Sequence, residues 1–465
     1  TWASGQNIFM DSSNRTLPLG TTTIQSLKIA GATDRTLGGA AGAILEIESG
    51  GIIALDDGHT ISVPTLTAGA AGNYTLYDIA WSFHTIRSVI DDNAGNPVSL
   101  VKAAGNTTRF LGNNTYTGTT YINEGMFQDI IGSLNQQALG SGNLNITGSP
   151  SIQAVYENDN DFVRPLGTGA GEVQLTGGGG LGGGSAGFGA YGAPIDLNFG
   201  GAGATVTWGS AAFNPGIFTL NGGNATHVLT MVNPIDLGGE QRYIRLDGNA
   251  SGGNRAVMAT ITGDISNGGI VRRGGGVLFF DTPKSYEAGT LIQEGELWLR
   301  GTGTAGANVV SNDILIGAAS RLKVDAPSNI GSKQAIIMQN ADDNSASAIS
   351  FGPGYGNGSE IKFHSLLTQN GIVQTGPYDI LIGNTQSGND RRNRVGVQIS
   401  GIHDFSTDVM GQIKAVAPDV EAWFGADTGN GTYTGTTITA TGRNKTAGTQ
   451  AFRLGSGGGT ITIAN

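Results

Sequence analysis

The segment VKAAGNTTRFLGNNTYTGTTYINEGMFQ, which begins at Val101, recurs as VRRGGGVLFFDTPKSYEAGTLIQEGELW from Val271, and the two align over 28 residues without a gap at an offset of 271 − 101 = 170. Gly105/Gly275, Phe110/Phe280, Tyr116/Tyr286, Thr120/Thr290, Ile122/Ile292, Glu124/Glu294 and Gly125/Gly295 are identical. Both copies read as strand, turn, strand, turn: short β-branched or aromatic runs broken by Asn-Glu-Gly or Gln-Glu-Gly, whose glycine takes a positive φ at a corner. A shorter echo, Gly-Asn followed by Thr-Tyr-Thr-Gly-Thr-Thr, stands at Thr115–Thr120 and again at Thr432–Thr437. "PIDL" occurs at Pro194–Leu197 and Pro234–Leu237. Between these lie runs such as ATVTWGS, GIFTLNGG and RYIRLDGN, each a strand of four to six residues closed by Gly or Asn. Self-similarity at long intervals in such a chain favours a solenoid, because each coil buries its apolar face only on its neighbours.

Composition points the same way. Of 465 residues 79 are Gly, and only 13% are charged, so Thr, Ser, Asn and Gly coat the surface instead of Lys and Glu. Gly costs about 1 kcal/mol at a helix-interior site and Thr, Asn and Ser compete with the helix backbone, which leaves strands and tight turns. The chain has no cysteine, removing disulfides, thiolate metal sites and Cys nucleophiles together. A formal charge of −11 without a long basic run argues against a nucleic-acid groove. No apolar stretch approaches the ~18 residues of a transmembrane helix. An opening at Thr1 rather than Met fits a mature chain after removal of a signal segment, or a fragment, and secretion is the expectation.

The stretches GGGGLGGGSAGFGAYGAPIDLNFGGAGATVTWGS, NPIDLGGEQRYIRLDGN, ITGDISNGGIVRRGGGVLFF and SYEAGTLIQEGEL, with GNNTYTGTTYINEGMFQ, resemble the autotransporter-associated β-strand repeat proteins. The resemblance is good over residues 177–300, fair over 101–140, and loose over the first 90 residues and beyond about 320. It implies a bacterial extracellular protein folded as a right-handed parallel β-helix. Thr119 stands where the family has a second Gly, and Glu287-Ala288 in the other copy, so the turn departs from the family's tightest form. The outer-membrane barrel usual at the family's C-terminus would read as ~10-residue strands with aromatic girdles, which the tail TITIAN does not.

Parallel β-helices also host polysaccharide lyases and hydrolases, so the acidic groups need weighing: Asp56-Asp57, Asp91-Asp92, Asp342-Asp343 and Glu157–Asp161. A lyase needs clustered carboxylates for Ca²⁺ and an Arg or Lys base on one face, and a hydrolase needs two or three placed carboxylates. No pair of acidic segments repeats at coil spacing with a basic residue alongside, so solvated turn carboxylates are the plainer reading and catalysis is expected to be absent. Glu157, Asp159 and Asp161 form the most oxygen-rich run and are the candidate Ca²⁺ ligands, without the later Glu of an EF-hand. His59, His84, His227, His364 and His403 are scattered singly, and the Asp390–Arg394 cluster reads as a solvated loop. The glycine tract Gly177–Gly184 has no Lys-Ser/Thr after it and reads as a tight corner rather than a phosphate loop.

The expectation is therefore all-β: one elongated right-handed parallel β-helix over residues 1–465, less regular over 301–465, with about 20 coils spanning roughly 100 Å. Phe110, Ile122, Phe280 and Ile292 are its expected repeat core. The expected function is that of a non-enzymatic structural protein at the cell surface: a fibre or surface-layer subunit, or an adhesin-type stalk. The alternative is a carbohydrate-active β-helix enzyme or a carbohydrate-binding protein. The expected partner is the chain itself, head to tail, because Thr460, Ile461, Thr462 and Ile463 alternate like a strand without charge or Pro to blunt an edge. Glycans or the cell envelope are further partners under this reading.

Overall fold

The computed structural model describes residues 2–464 except 32–33, 70–71, 131–138, 179–181, 248–257, 301–309, 311–312, 318, 327–328, 331–335, 340–346, 354–361, 366–378, 384–393, 406–407, 417–419, 443–449 and 456–457. It is an all-β solenoid of parallel strands stacked coil on coil, and the chain divides into two compact units, Thr1–Asn233 and Pro234–Asn465.

In the first unit each early coil gives one short strand to each of three sheets. The first sheet runs Asn7–Met10, Ser26–Ile29, Gly51–Ala54, Thr75–Ala80, Ser99–Ala103, Thr120–Ile122, Leu144–Ile146, Val173–Leu175. The second runs from Arg15–Leu17 through Thr107–Phe110, Gly125–Asp129, Ala154–Asn158 and Ser185–Ala190 to Ile217–Leu220. Gly20–Ile24, Ala43–Ile47, Thr65–Ala68 and Val89–Ile90 form the third, and Phe162–Val163, Ile195–Asn198 and Leu229–Met231 close the later coils. Such short strands persist because side chains alternate between faces and the stack is in register, so equivalent residues form columns. Leu27, Ile52, Asp78, Lys102, Ile122, Ile146 and Leu175 make one inward column, all buried. In the second sheet an inward pile of rings links Phe110 to Phe127 (4.0 Å, stacked), Phe127 to Tyr156 (5.8 Å) and Tyr156 to Phe188 (6.1 Å). Each fully buried aliphatic or aromatic side chain of this kind contributes about 1.5–3 kcal/mol.

The second unit repeats the scheme with two long parallel sheets. One includes Gln241–Arg245, Gly269–Arg273, Thr290–Ile292, Ile314–Ile316, Ile336–Gln339 and Asp379–Gly383; the other runs from Met258–Ile261 through Val277–Phe280, Gly295–Leu299, Ser320–Val324, Ser347–Phe351, Arg394–His403 and Glu421–Tyr433 to Ile461–Ile463. Among the described residues the one α-helix is Val409–Val416. Asp408 caps it by accepting from Gly411 N at 2.9 Å, and Val409, Met410 and Ile413 are buried.

The 28-residue echo is one structural corner built twice. Lys102 pairs with Ile122 and Thr107 with Met126 in the first unit; Arg272 pairs with Ile292 and Val277 with Glu296 in the second, the same register at the offset of 170. Phe110, Ile122, Phe280 and Ile292 are fully buried. Tyr116 and Tyr286 are buried too, with their hydroxyls 2.5 Å from Thr120 Oγ1 and 2.6 Å from Thr290 Oγ1. Gly125 (φ 75°) and Gly295 (φ 72°) turn the corner. A buried cation fills the hollow behind each glycine. Lys102 Nζ donates to Ala103 O (2.9 Å), Ala104 O (2.9 Å) and Glu124 O (3.1 Å), and Arg272 donates to Arg273 O, Gly274 O (2.9 Å) and Gly276 O. Burial pushes the Lys102 ammonium down to about 8 and the Arg272 guanidinium to about 9, against nearby carboxylates. The third TYTGTT copy shares only the tyrosine's part: Tyr433 is buried and its hydroxyl donates to Thr437 O at 2.8 Å.

Candidate functional site

The three candidate Ca²⁺ ligands part company in the structure. Glu157 lies on the outer face of the strand Ala154–Asn158, yet it is fully buried, and Gln128 Nε2 donates to its Oε2 at 2.8 Å. Burial raises its pKa to about 7, against the pull of Gln128, Asn224 and the Arg109 charge. Asp159 Oδ1 accepts from Asn160 at 2.8 Å, and the exposed Asp161 accepts from Asp196 N at 2.8 Å. Among the described residues no three acidic or histidine side chains gather closely enough to hold a metal ion.

The paired aspartates brace corners between neighbouring coils. Asp56 accepts from Gly31 N (2.8 Å) and Asp57 from Phe83 N (2.9 Å). Asp91 accepts from Thr115 Oγ1 (2.6 Å), while Asp92 takes Thr117 N (2.9 Å) and Thr117 Oγ1 (2.7 Å), so the TYTGTT threonines anchor to the coil before them. Asp342-Asp343, residues 390–393 of the charge cluster, 179–181 of the glycine tract and the side chain of His364 lie outside the described residues. His59 bonds Leu55 O (2.7 Å) and accepts from Arg35 N (3.0 Å), and His403 sits 2.9 Å from Ser400 O.

Two polar clusters escape a reading by motif. The first interrupts the inward column of the first unit: Asp78 Oδ1 meets His84 Nε2 at 2.8 Å and Asp78 Oδ2 accepts from Thr108 Oγ1 at 2.5 Å. Burial pushes the Asp78 carboxyl up, but His84, Lys102 and Thr108 outweigh it and hold the pKa below the usual carboxylate value. The signal was present: in TLYDIA, Asp78 has the parity of Leu76 and Ala80, a charge on an inward position. The second is on the outer face of the second unit. Register between Arg394–His403 and Glu421–Tyr433 slips between Ile399 and Gly401, and Asp427, buried, reaches Arg321 (2.5 Å) and Lys323 (2.6 Å). Lys323 Nζ also lies 3.6 Å from the centre of the Trp298 ring, whose Nε1 donates to Asp325 at 2.8 Å.

A different kind of site stands at Thr460–Ile463. Ile461–Ile463 is the last strand of its sheet and pairs in parallel with Gly431–Tyr433. Gly431 N donates to Thr460 O (3.0 Å) and Ala464 N to Tyr433 O (2.9 Å). By the alternation of a parallel ladder, Thr462 faces that neighbour while the N–H and C=O groups of Ile461 and Ile463 point to the side on which, among the described residues, no further strand pairs. The helix Val409–Val416 covers part of this end, packing on Lys362–Ser365 and Glu421–Tyr433, but two apolar side chains of inward parity stay exposed. Leu454 bridges to the inward Phe424, and Ile463 stands in register with the buried Tyr433, yet the two are 49% and 40% exposed. At the other end of the chain, Asn7–Met10, Arg15–Leu17 and Gly20–Ile24 are edge strands of their three sheets, with Phe9 and Leu19 exposed.

Comparison with protein families, curated proteins and solved structures finds no match in any of the three, so the likeness to autotransporter repeats rests on the motif residues alone.

Proposed function

We propose that this chain is a non-enzymatic structural protein of the cell exterior whose solenoid assembles head to tail into a fibre or layer. The supporting observation is the Ile461–Ile463 edge, where, among the described residues, ladder groups without a pairing strand and exposed core-facing side chains occur together. A strand edge of this kind is a template for another chain, and natural proteins normally blunt it with charge, Pro or a covering segment. The N-terminal edge strands of a second copy supply the complement. Pairing of unlike ends is heterologous and builds an open filament when the rotation does not close. The extracellular setting is supported by the autotransporter-repeat likeness.

The test is sedimentation velocity over a wide concentration range, with electron microscopy of the same samples, on the parent and on Ile463→Pro. Proline removes an N–H that faces the open edge and leaves the bonds to Gly431–Tyr433 in place. The expected result is concentration-dependent polymer in the parent and mainly monomer in the variant, with unchanged far-ultraviolet dichroism. A parent that stays monomeric at high concentration, or a variant that polymerises equally well, overturns the proposal.

A further inference from the structure

Glu157 is buried on the outside of a sheet because another part of the first unit lies over it. After the strand Ile217–Leu220 the chain enters a left-handed residue, Asn221 (φ 69°), and does not proceed directly to the next strand. Thr107, Met126, Val155, Gly187 and Thr219 form one outward column, and the segment that follows Thr219 runs back along it: Asn224 Nδ2 donates to Thr107 Oγ1 at 2.8 Å, beyond three intervening strands. Gly222 crosses above Val155 and Glu157; a Cβ there would stand 3.2 Å from the Val155 methyls and 3.5 Å from Glu157 Oε1. The base of this strap is fixed. Asn221 Oδ1 accepts from Ala190 N (2.8 Å), Asn221 Nδ2 donates to His227 O (2.8 Å), and Thr226 N donates to Ala190 O (2.9 Å). Its far end is held by the Asn224 side-chain bond to Thr107, with the Asn224 backbone and side chain also reaching Glu157.

Beneath the strap lies a polar chain: Arg109 donates to Gln128 Oε1 (3.2 Å) and Gln128 donates to Glu157 Oε2 (2.8 Å). Glu157 Oε1 is enclosed without a well-formed hydrogen bond. Arg109, which also reaches Tyr191 OH at 3.3 Å, supplies a favourable charge to this carboxyl, and the strap itself presents Asn224 and, at its return, His227, whose Nδ1 is 2.9 Å from Thr226 Oγ1. A carboxylate in this position has Gln128 as its one well-formed donor, weaker donation from the backbone and side chain of Asn224 in the strap, and the Arg109 charge; burial outweighs them, because ionisation puts charge on the enclosed Oε1.

We propose that the strap Asn221–His227 is a pH-controlled cover, closed over neutral Glu157 and released when Glu157 ionises, which uncovers Val155, Gln128 and Glu157 on the outer face of the sheet. The closed state holds the Glu157 pKa at about 7, above the ordinary 4.5. Closure is therefore at full strength below pH 4.5, weakens as pH rises to 7, and is constant above that. If the open state has the ordinary value, the closing equilibrium falls by up to roughly 300-fold across this window.

The absence of cysteine allows a single nitroxide to be placed on Gly223→Cys, where an added Cβ meets nothing within 4 Å. Electron spin resonance of the folded chain from pH 4 to 8.5 is expected to show a mobile component that grows between pH 4.5 and 7 and then levels. With Glu157→Gln added the label stays immobile throughout, and with His227→Gln added it follows the parent. A line shape indifferent to pH, a transition that survives Glu157→Gln, or one that vanishes with His227→Gln overturns the proposal. Should Glu157→Gln fail to fold, an infrared titration of the unlabelled parent decides: a protonated-carboxyl band persisting to about pH 7 is expected, and its loss by pH 5 refutes the mechanism.

Discussion

Gly295→Ala tests the repeated corner directly. The residue has φ 72°, and a Cβ there would lie 2.3 Å from Gly274 O, 2.8 Å from Gly276 O and 2.7 Å from the Arg272 guanidinium. Two costs add. The left-handed conformation costs a non-glycine residue about 1–2 kcal/mol. Forcing a methyl into a filled site adds about 1–3 kcal/mol, here by pushing two carbonyls away from the buried guanidinium they solvate. The sum is roughly 2–5 kcal/mol. Gly171 separates the two, because it has the same φ of 72° with nothing within 4 Å of an added Cβ, so Gly171→Ala should lose only about 1–2 kcal/mol. Urea denaturation followed by hydrogen exchange at the corner measures both, exchange being needed because coils open locally and one global transition would average them. Equal losses for the two variants would show that the cation and its carbonyls do not set the corner.

Two further outcomes follow from buried charges in the second unit. Asp427→Ala strips Arg321 and Lys323 of their shared partner and should cost about 3–5 kcal/mol in denaturation of that unit; a loss under about 1 kcal/mol would mean the two cations reach water. Lys284, buried with its ammonium on Gly263 O (2.9 Å), has its pKa lowered to about 8 by burial, against Asp264 and Asp281. The folded state then binds fewer protons than the unfolded between pH 8 and 10.5, so stability rises with pH across that window, and Lys284→Met should flatten the rise in pH-dependent urea midpoints.

Sequence alone made the echo legible because a corner is local chemistry: the same glycine, tyrosine and threonine recur at the same spacings, and both copies adopt the same register. The short strands closed by Gly and Asn announced only strands and turns, self-similarity at long intervals favoured a solenoid, and parallel pairing was implied by the autotransporter-repeat likeness. Contacts that depend on which residues stack across coils were hidden. Lys102 and Arg272 align in the echo, but their burial follows only once the inward column is known. Asp427 lies 106 residues beyond Arg321, and Asn224 lies 117 beyond Thr107, separations at which no spacing rule operates. Glu157 drew notice for its acidic neighbours, whereas its environment is made by a strap from three strands away.

The in-register columns also govern how such a chain can change length. From Asp78 to Lys102 to Ile122 to Ile146 the steps are 24, 20 and 24 residues, yet the four remain in one column, so the differences are absorbed at corners and not in strands. A single-residue insertion within Ser99–Ala103 would invert its pattern and expel Leu100 and Lys102 from the interior, while removal of a complete coil, cut and rejoined at equivalent corners, keeps every column intact. Growth and shrinkage of this molecule in evolution are therefore quantised: coils can be gained or lost whole, corners can drift freely, and the strands between them are fixed in phase.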